Sequence, residues 1–270
     1  MALPEIIKDL LENGVHFGHL SKYWNPKMKK FIFGRKKNVY IIDLEKTAKC
    51  LDEAKDFVRK VAQDGGKILF VGTKKQLRGI VKECAQDCGM PSVAERWVGG
   101  LLTNFGTIHR QILKYKSMLA KVDEGGLEKM PGKEVVRFKH ELSRMEKNYS
   151  GMIDLEDLPD CVCLVDPKKE AACVSEANRL SIPVIALVDT DSDPDPIDYP
   201  VPGNDDAIKS VKCVMTHLVA AVKEGVAKGE QLLAEAKAEK ERQKAEALQV
   251  AAKRDQVKEA KITEEVEEDL

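Results

Sequence analysis

The sequence predicts an α/β protein: a doubly wound, mostly parallel sheet forming a flavodoxin- or Rossmann-like sandwich, with an antiparallel helical hairpin inserted into it. Short runs that are apolar at every position alternate with segments of helical apolar spacing, the pattern of parallel strands covered on both faces. One stretch breaks that alternation with apolar residues stepping by threes and fours. After Gly225 the composition shifts to Ala, Glu, Lys and Gln, and large apolar residues become scarce.

In chain order, residues 5–12 read as a short helix. A basic segment follows, then "NVYIIDL" (38–44) as a first apolar strand. Leu51, Ala54, Val58 and Val61 give the helical spacing behind it. "GKILFVG" (66–72) is a second strand, with Leu77, Ile80, Val81, Cys84 and Cys88 marking its helix. "SVAERWV" (92–98), "CVCLVD" (161–166) and "PVIALVD" (183–189) complete the expected strands, with a helix from about 168 to 180 between the last two. Ile208, Val211, Met215, Leu218 and Val222 then predict a long amphipathic helix.

Ile108, Ile112, Tyr115, Leu119 and Val122 step by 4, 3, 4 and 3 residues, and Val135, Phe138, Leu142, Met145 and Tyr149 by 3, 4, 3 and 4. "DEGGLEKMPGK" (123–133) can reverse the chain between them, which predicts an antiparallel coiled-coil hairpin. The expected organisation is a sandwich from 1–104 and 150–224, the hairpin at 105–149, and a tail at 225–270 that is either helical or disordered.

Net charge is −1, but it is polarised. Residues 1–150 carry 29 Lys/Arg against 18 Asp/Glu, residues 151–224 carry 6 against 15, and residues 225–270 carry 9 against 12. One half suits phosphate and the other rejects it. No apolar run reaches the roughly 18 residues of a membrane span. Glu5, Lys8, Asp9 and Glu12 interrupt any signal-peptide pattern, so a cytoplasmic location is expected. The seven cysteines form no C-x-x-C pair and read as small reduced core residues.

The strongest local signal is the basic segment. Between Asn13 and Asp43 it holds Lys22, Lys27, Lys29, Lys30, Arg35, Lys36 and Lys37 with no acid. Tyr23, Trp24, Phe31 and Phe33 are interleaved with them and offer stacking surfaces, unless the phenylalanines belong to the core. "FVGTKKQ" (70–76) ends a strand and opens a helix, but neither G-x-x-x-x-G-K-[ST] nor G-x-G-x-x-G is present. Lys74 and Lys75 are therefore read as phosphate contacts at the sheet edge.

"DTDSDPDPIDYP" (189–200) begins like a calcium loop, yet Pro194 stands where its Gly belongs and Pro200 where its Glu belongs. Asp189 ends a strand, and Asp205 and Asp206 open the next helix, so they are expected at one crevice. Either water and Lys/Arg neighbours screen these acids, or His16 joins Asp189 and Asp205 around a divalent cation such as zinc. No cofactor is required. His16 and His19 lack the H-E-x-x-H spacing of zinc hydrolases. With Gly14 and Gly18 around them they read as a hydrogen-bonded structural pair in a tight turn, or one of them completes the Asp-rich cation site, and no nucleophile with spaced partners stands out.

"GVHFGHLSKYWNPKMKKFIFGRKKNVYIIDLEKT", "GKILFVGTKKQ", "RWVGGLLTNF", "LPDCVCLVD" and "IPVIALVDTDSDPD", with "IDYPVPGNDDA" after Pro196, resemble the bacterial-type small-subunit ribosomal protein S-two family over about residues 3–224. The resemblance implies an α/β sandwich with a protruding coiled coil and a non-enzymatic role. It implies binding to small-subunit ribosomal RNA, support of particle assembly, neighbouring ribosomal proteins as partners and help in anchoring the large ribosomal protein S-one. It implies no membrane and no small-molecule substrate. The candidate RNA contacts are Lys22, Trp24, Asn25, Lys27, Lys29, Lys30, Arg35, Lys36, Lys74, Lys75, Arg96 and Asn104, the lysines and arginines among them chosen on charge alone. The competing readings are a nucleotide-binding α/β enzyme, for which the phosphate loop is missing, and a pure protein-binding scaffold, which has no need of the basic half.

Overall fold

The computed structural model describes residues 4–125 and 131–235. Five parallel strands form the central sheet: β4 (Ile68–Val71), β5 (Ser92–Val93), β6 (Cys161–Val165), β7 (Val184–Val188) and β8 (Tyr199–Pro202). Their order is β5-β4-β6-β7-β8, so the chain starts in the sheet, steps to one edge and then crosses to build the other side. That is a doubly wound order, with its switch point between β4 and β6.

Side-chain alternation explains why these runs are apolar throughout. Ile68 and Phe70, Cys161 and Cys163, and Ile185 and Leu187 enter one buried cluster. Leu69 and Val71, Val162 and Leu164, and Val184 and Ala186 enter the other. The first face is covered by α1 (Glu5–Glu12), α2 (Leu44–Gln63), α3 (Arg78–Asp87) and the helix that starts at 208, called α7 here over 208–226. The second is covered by α4 (Phe105–Asp123), α5 (Gly132–Tyr149) and α6 (Ala171–Arg179). One compact unit ends at Val226. The helix continues to 235, and the expected tail lies mostly outside the described residues, as does the middle of the 123–133 turn.

Three strand expectations need correction. "NVYIIDL" does not join the parallel sheet. Its core, β3 (Val39–Ile42), pairs antiparallel with β1 (Phe17–Leu20) and β2 (Ile32–Lys36) in a separate three-stranded sheet. The cause is the two-residue turn Lys37–Asn38, where Lys37 holds φ at 55°. A turn that tight can only return the chain antiparallel. The 92–98 strand stops at Val93: Glu95 then turns to Arg78 and Lys82, and the Trp97 indole donates to Glu176. β8 is the third, unexpected because Pro200 and Pro202 lie within it. It occupies the sheet edge, where a strand tolerates missing N–H donors.

α4 and α5 pack on each other, and Lys114 Nζ meets Glu141 Oε1 at 2.5 Å. Ile108, Ile112, Tyr115, Met118, Met145 and Tyr149 are buried in the cluster that covers the sheet, while Leu119, Phe138 and Leu142 are only partly buried. The base of this helix pair is therefore part of the core.

Candidate nucleic-acid interface and acidic crevice

The basic segment is built on the small antiparallel sheet and a 3-10 turn, Pro26–Phe31. Asn25 starts that turn: its Oδ1 accepts from the Lys27 N–H at 3.0 Å, and its own N–H donates to the Thr190 carbonyl at 2.7 Å. This anchors the arm to the sandwich. Met28 and Phe31 point into the core, whereas Phe33 is 79% exposed and Tyr23 57%. The four aromatics thus divide: Phe31 is core, Trp24 packs half-buried against Tyr40 at 4.9 Å, and Tyr23 and Phe33 face solvent.

Lys22, Lys29, Lys30, Arg35, Lys36 and Lys37 are exposed, and among the described residues none has a carboxylate within ion-pair distance. Lys27 differs. Its Nζ lies 2.7 Å from both Asp193 and Asp195, so it ties the arm to the Asp-rich loop. Lys75, Arg96 and Asn104 are also exposed, with Asn104 at the N-terminus of α4.

Lys74 does not face outward. It reaches into the crevice at the carboxyl ends of the parallel strands, with Nζ 2.8 Å from Asp205, 2.9 Å from Asp206 and 2.9 Å from Asp166. Beside it, His19 bridges two further carboxylate oxygens, Nδ1 to Asp189 at 3.0 Å and Nε2 to Asp206 at 3.2 Å. The hydrogen bond to Asp189 raises the imidazole pKa to about 9, against the opposing effect of burial. His19 is therefore charged at neutral pH. Four carboxylates meet two cations, and burial together with neighbouring Asp189 pushes Asp205 up to about 7 despite Lys74. Lys74 itself is held well above its ordinary value: burial lowers it, and the bonds to Asp205 and its neighbours outweigh that.

The arrangement brings together Asp189 and Asp205 as expected from their strand ends, but not His16. His16 lies in the turn that precedes β1, whereas His19 lies within that strand. The His16 ring rests on Phe17 at 4.0 Å, its Nδ1 is buried with no protein partner, and among the described residues no carboxylate lies within 4.0 Å of it. Gly18 makes the His19 placement possible. A Cβ there would come 2.6 Å from Thr190 Cγ2, so only glycine lets β1 approach the end of β7. The His19 N–H then donates to Thr190 Oγ1 at 2.9 Å.

Two further residues went unread in the sequence. Asp166 ends β6 just as Asp189 ends β7, and the same strand-end reasoning finds it. Glu176 had no such signal. It organises the "RWVGGLLTNF" loop by accepting from the Trp97 indole at 3.0 Å and from the N–H groups of Gly100, Leu102 and Thr103. Burial raises its pKa, but these bonds outweigh burial and leave it below its ordinary value.

A doubly wound scaffold with a cationic appendage, whose strand-end crevice is filled by its own lysine and histidine, has the build of a structural binding protein. The ribosomal protein S2 family model matches residues 10–225. The small ribosomal subunit protein uS2 of Coprothermobacter proteolyticus is 48% identical over 219 residues, covering 81% of this chain and 82% of that protein. The chain belongs to the ribosomal protein S2 family, in its bacterial type. It is a small-subunit ribosomal protein of the cytoplasmic ribosome, at work in translation, and not an enzyme. No helix among the described residues is long and apolar enough to cross a membrane.

Proposed function

We propose that this chain binds small-subunit ribosomal RNA through its N-terminal basic arm and supports assembly of the particle. The observation that carries this is the set of exposed cations on the arm, Lys22, Lys29, Lys30, Arg35, Lys36 and Lys37, standing clear of the carboxylates that engage Lys27 and Lys74. Cations with no carboxylate in ion-pair distance among the described residues release counterions when they meet phosphate. Exposed Phe33 and Tyr23 lie among them and suit stacking on unpaired bases. Lys75, Arg96 and Asn104 extend the surface, while Asn25, Lys27 and Trp24 hold its shape.

The paired α4 and α5 helices form a coiled-coil arm in this reading, with Leu119, Phe138 and Leu142 as its seam. The acidic half of the chain faces protein neighbours, among them the large ribosomal protein S-one; the net excess of acids between 151 and 224 supports that assignment.

Filter binding of the purified full chain to small-subunit RNA over a salt series tests the arm. Replacing Lys29, Arg35 and Lys36 by Glu should weaken binding and flatten the log-affinity against log-salt slope by roughly 0.7–0.9 per lost phosphate contact. An unchanged slope, with the variant folded by circular dichroism, would rule the arm out.

A further inference from the structure

Away from the arm and the crevice, α1 meets α7 through three groups that serve neither. Asp9 on α1 accepts a hydrogen bond from the Cys213 thiol, with Sγ 3.3 Å from Oδ2, and the same oxygen lies 2.9 Å from His217 Nε2. Cys213 and His217 stand one turn apart on the same face of α7. One ligand atom from each of the three residues lies within 4.8 Å of the other two. A tetrahedral zinc ion with usual bond lengths to sulfur, nitrogen and oxygen separates those atoms by roughly 3.4–3.6 Å. The Sγ–Oδ2 distance already suits such an ion, the Nε2–Oδ2 distance would open by about half an ångström, and Sγ and Nε2 lie within 4.8 Å of each other.

We propose that Asp9, Cys213 and His217 form a binding site for a divalent cation of the zinc class, which would clamp α1 to α7. The thiol sets the class, because thiolate and imidazole select zinc-like ions over magnesium or calcium. On binding, the Cys213 S–H bond breaks, a sulfur–metal bond forms and the proton leaves to solvent, while His217 coordinates as neutral imidazole through Nε2. A surface pocket of about 740 Å³, walled by Asp9, His217, Glu5 and Glu12, admits water as the fourth ligand. The two lysines on its rim already have acids: Lys8 meets Glu12 at 4.0 Å and Lys55 meets Asp52 at 3.0 Å. The other such grouping among the described residues, His19 with Asp205 and Asp206, offers no sulfur and has the Lys74 ammonium 2.8 Å from Asp205.

Titrating cobalt(II) into the full chain, stripped of metal by a chelator, tests the site. The wild type should develop one equivalent of tetrahedral visible bands together with a near-ultraviolet sulfur-to-cobalt band. Cys213→Ser should abolish the sulfur band, and His217→Ala and Asp9→Asn should each weaken binding more than about tenfold, the smallest loss typical even of an outer-shell change. Circular dichroism must show each variant folded. The proposal is overturned if no sulfur band forms in the wild type. It is equally overturned if that band survives Cys213→Ser, which would implicate another cysteine, or if cobalt binding is abolished by His19→Ala and unaffected by Cys213→Ser.

Discussion

Lys74→Met removes the charge that three carboxylates share while keeping most of the side chain's volume. The partners differ in burial: the Asp205 side chain is 2% exposed, Asp166 12% and Asp206 54%. Losing the pair with exposed Asp206 costs under about 1 kcal/mol. Stranding Asp205 and Asp166 in the crevice falls in the range for a buried pair broken on one side, about 3–5 kcal/mol. Against a typical total of roughly 5–15 kcal/mol, that is a large fraction. The loss also depends on pH. Asp205 has a folded pKa of about 7, above its ordinary value, so its stabilising contribution is complete at low pH and disappears as pH rises through 7. Without Lys74 the folded value rises further. Wild type and variant lose stability in parallel up to about pH 7 and only the variant goes on losing it above, so its deficit should be larger at pH 8 than at pH 5 by up to about 1.4 kcal/mol. Urea unfolding at both pH values measures this, and adding Asp205→Asn to Lys74→Met should restore much of the loss. A deficit below about 1 kcal/mol at pH 8, or one equal at both pH values, would refute the assignment of Lys74 as the crevice's countercharge.

Three further outcomes follow from the geometry. The His19 imidazole should titrate near pH 9 by NMR; because that lies above its ordinary value, its stabilisation is complete below about pH 6.5 and lost as pH rises through 9, and Asp189→Asn should return it toward 6.5. Glu176→Ala leaves backbone donors of the 97–103 loop unpaired and should cost about 3 kcal/mol or more by denaturation; in the wild type this contribution should fade only on acidification below the ordinary glutamate range, because its folded pKa is lowered. Ile112→Ala, at a fully buried position, should cost about 2–5 kcal/mol, whereas Leu119→Ala, only partly buried, should cost less than about 2 kcal/mol; equal losses would show that the α4–α5 pair is uniformly packed along its length.

The parallel core was legible because a strand buried on both faces must be apolar at every position, and β4, β6 and β7 are. β8 escaped because its prolines mimic a loop, and β3 was placed in the wrong sheet because its apolar run says nothing about the direction of its neighbour. That direction is decided by the turn at Lys37–Asn38. In the crevice, strand-end logic located Asp189 and Asp205, since the topology of such sheets gathers strand ends. The choice between His16 and His19 turned on where β1 begins and on a glycine's close approach to Thr190, neither of which composition or spacing displays. Lys74 reads as a surface cation in sequence, because nothing local marks a lysine whose partners lie far along the chain.

Ultraviolet cross-linking of the chain to small-subunit RNA, with the joined peptides mapped by mass spectrometry, tests the central claim most directly. Cross-links are expected on the arm between Lys22 and Lys37, with Tyr23 and Phe33 prominent because both rings are exposed there. Cross-links confined to residues 151–224, with none on the arm, would contradict it.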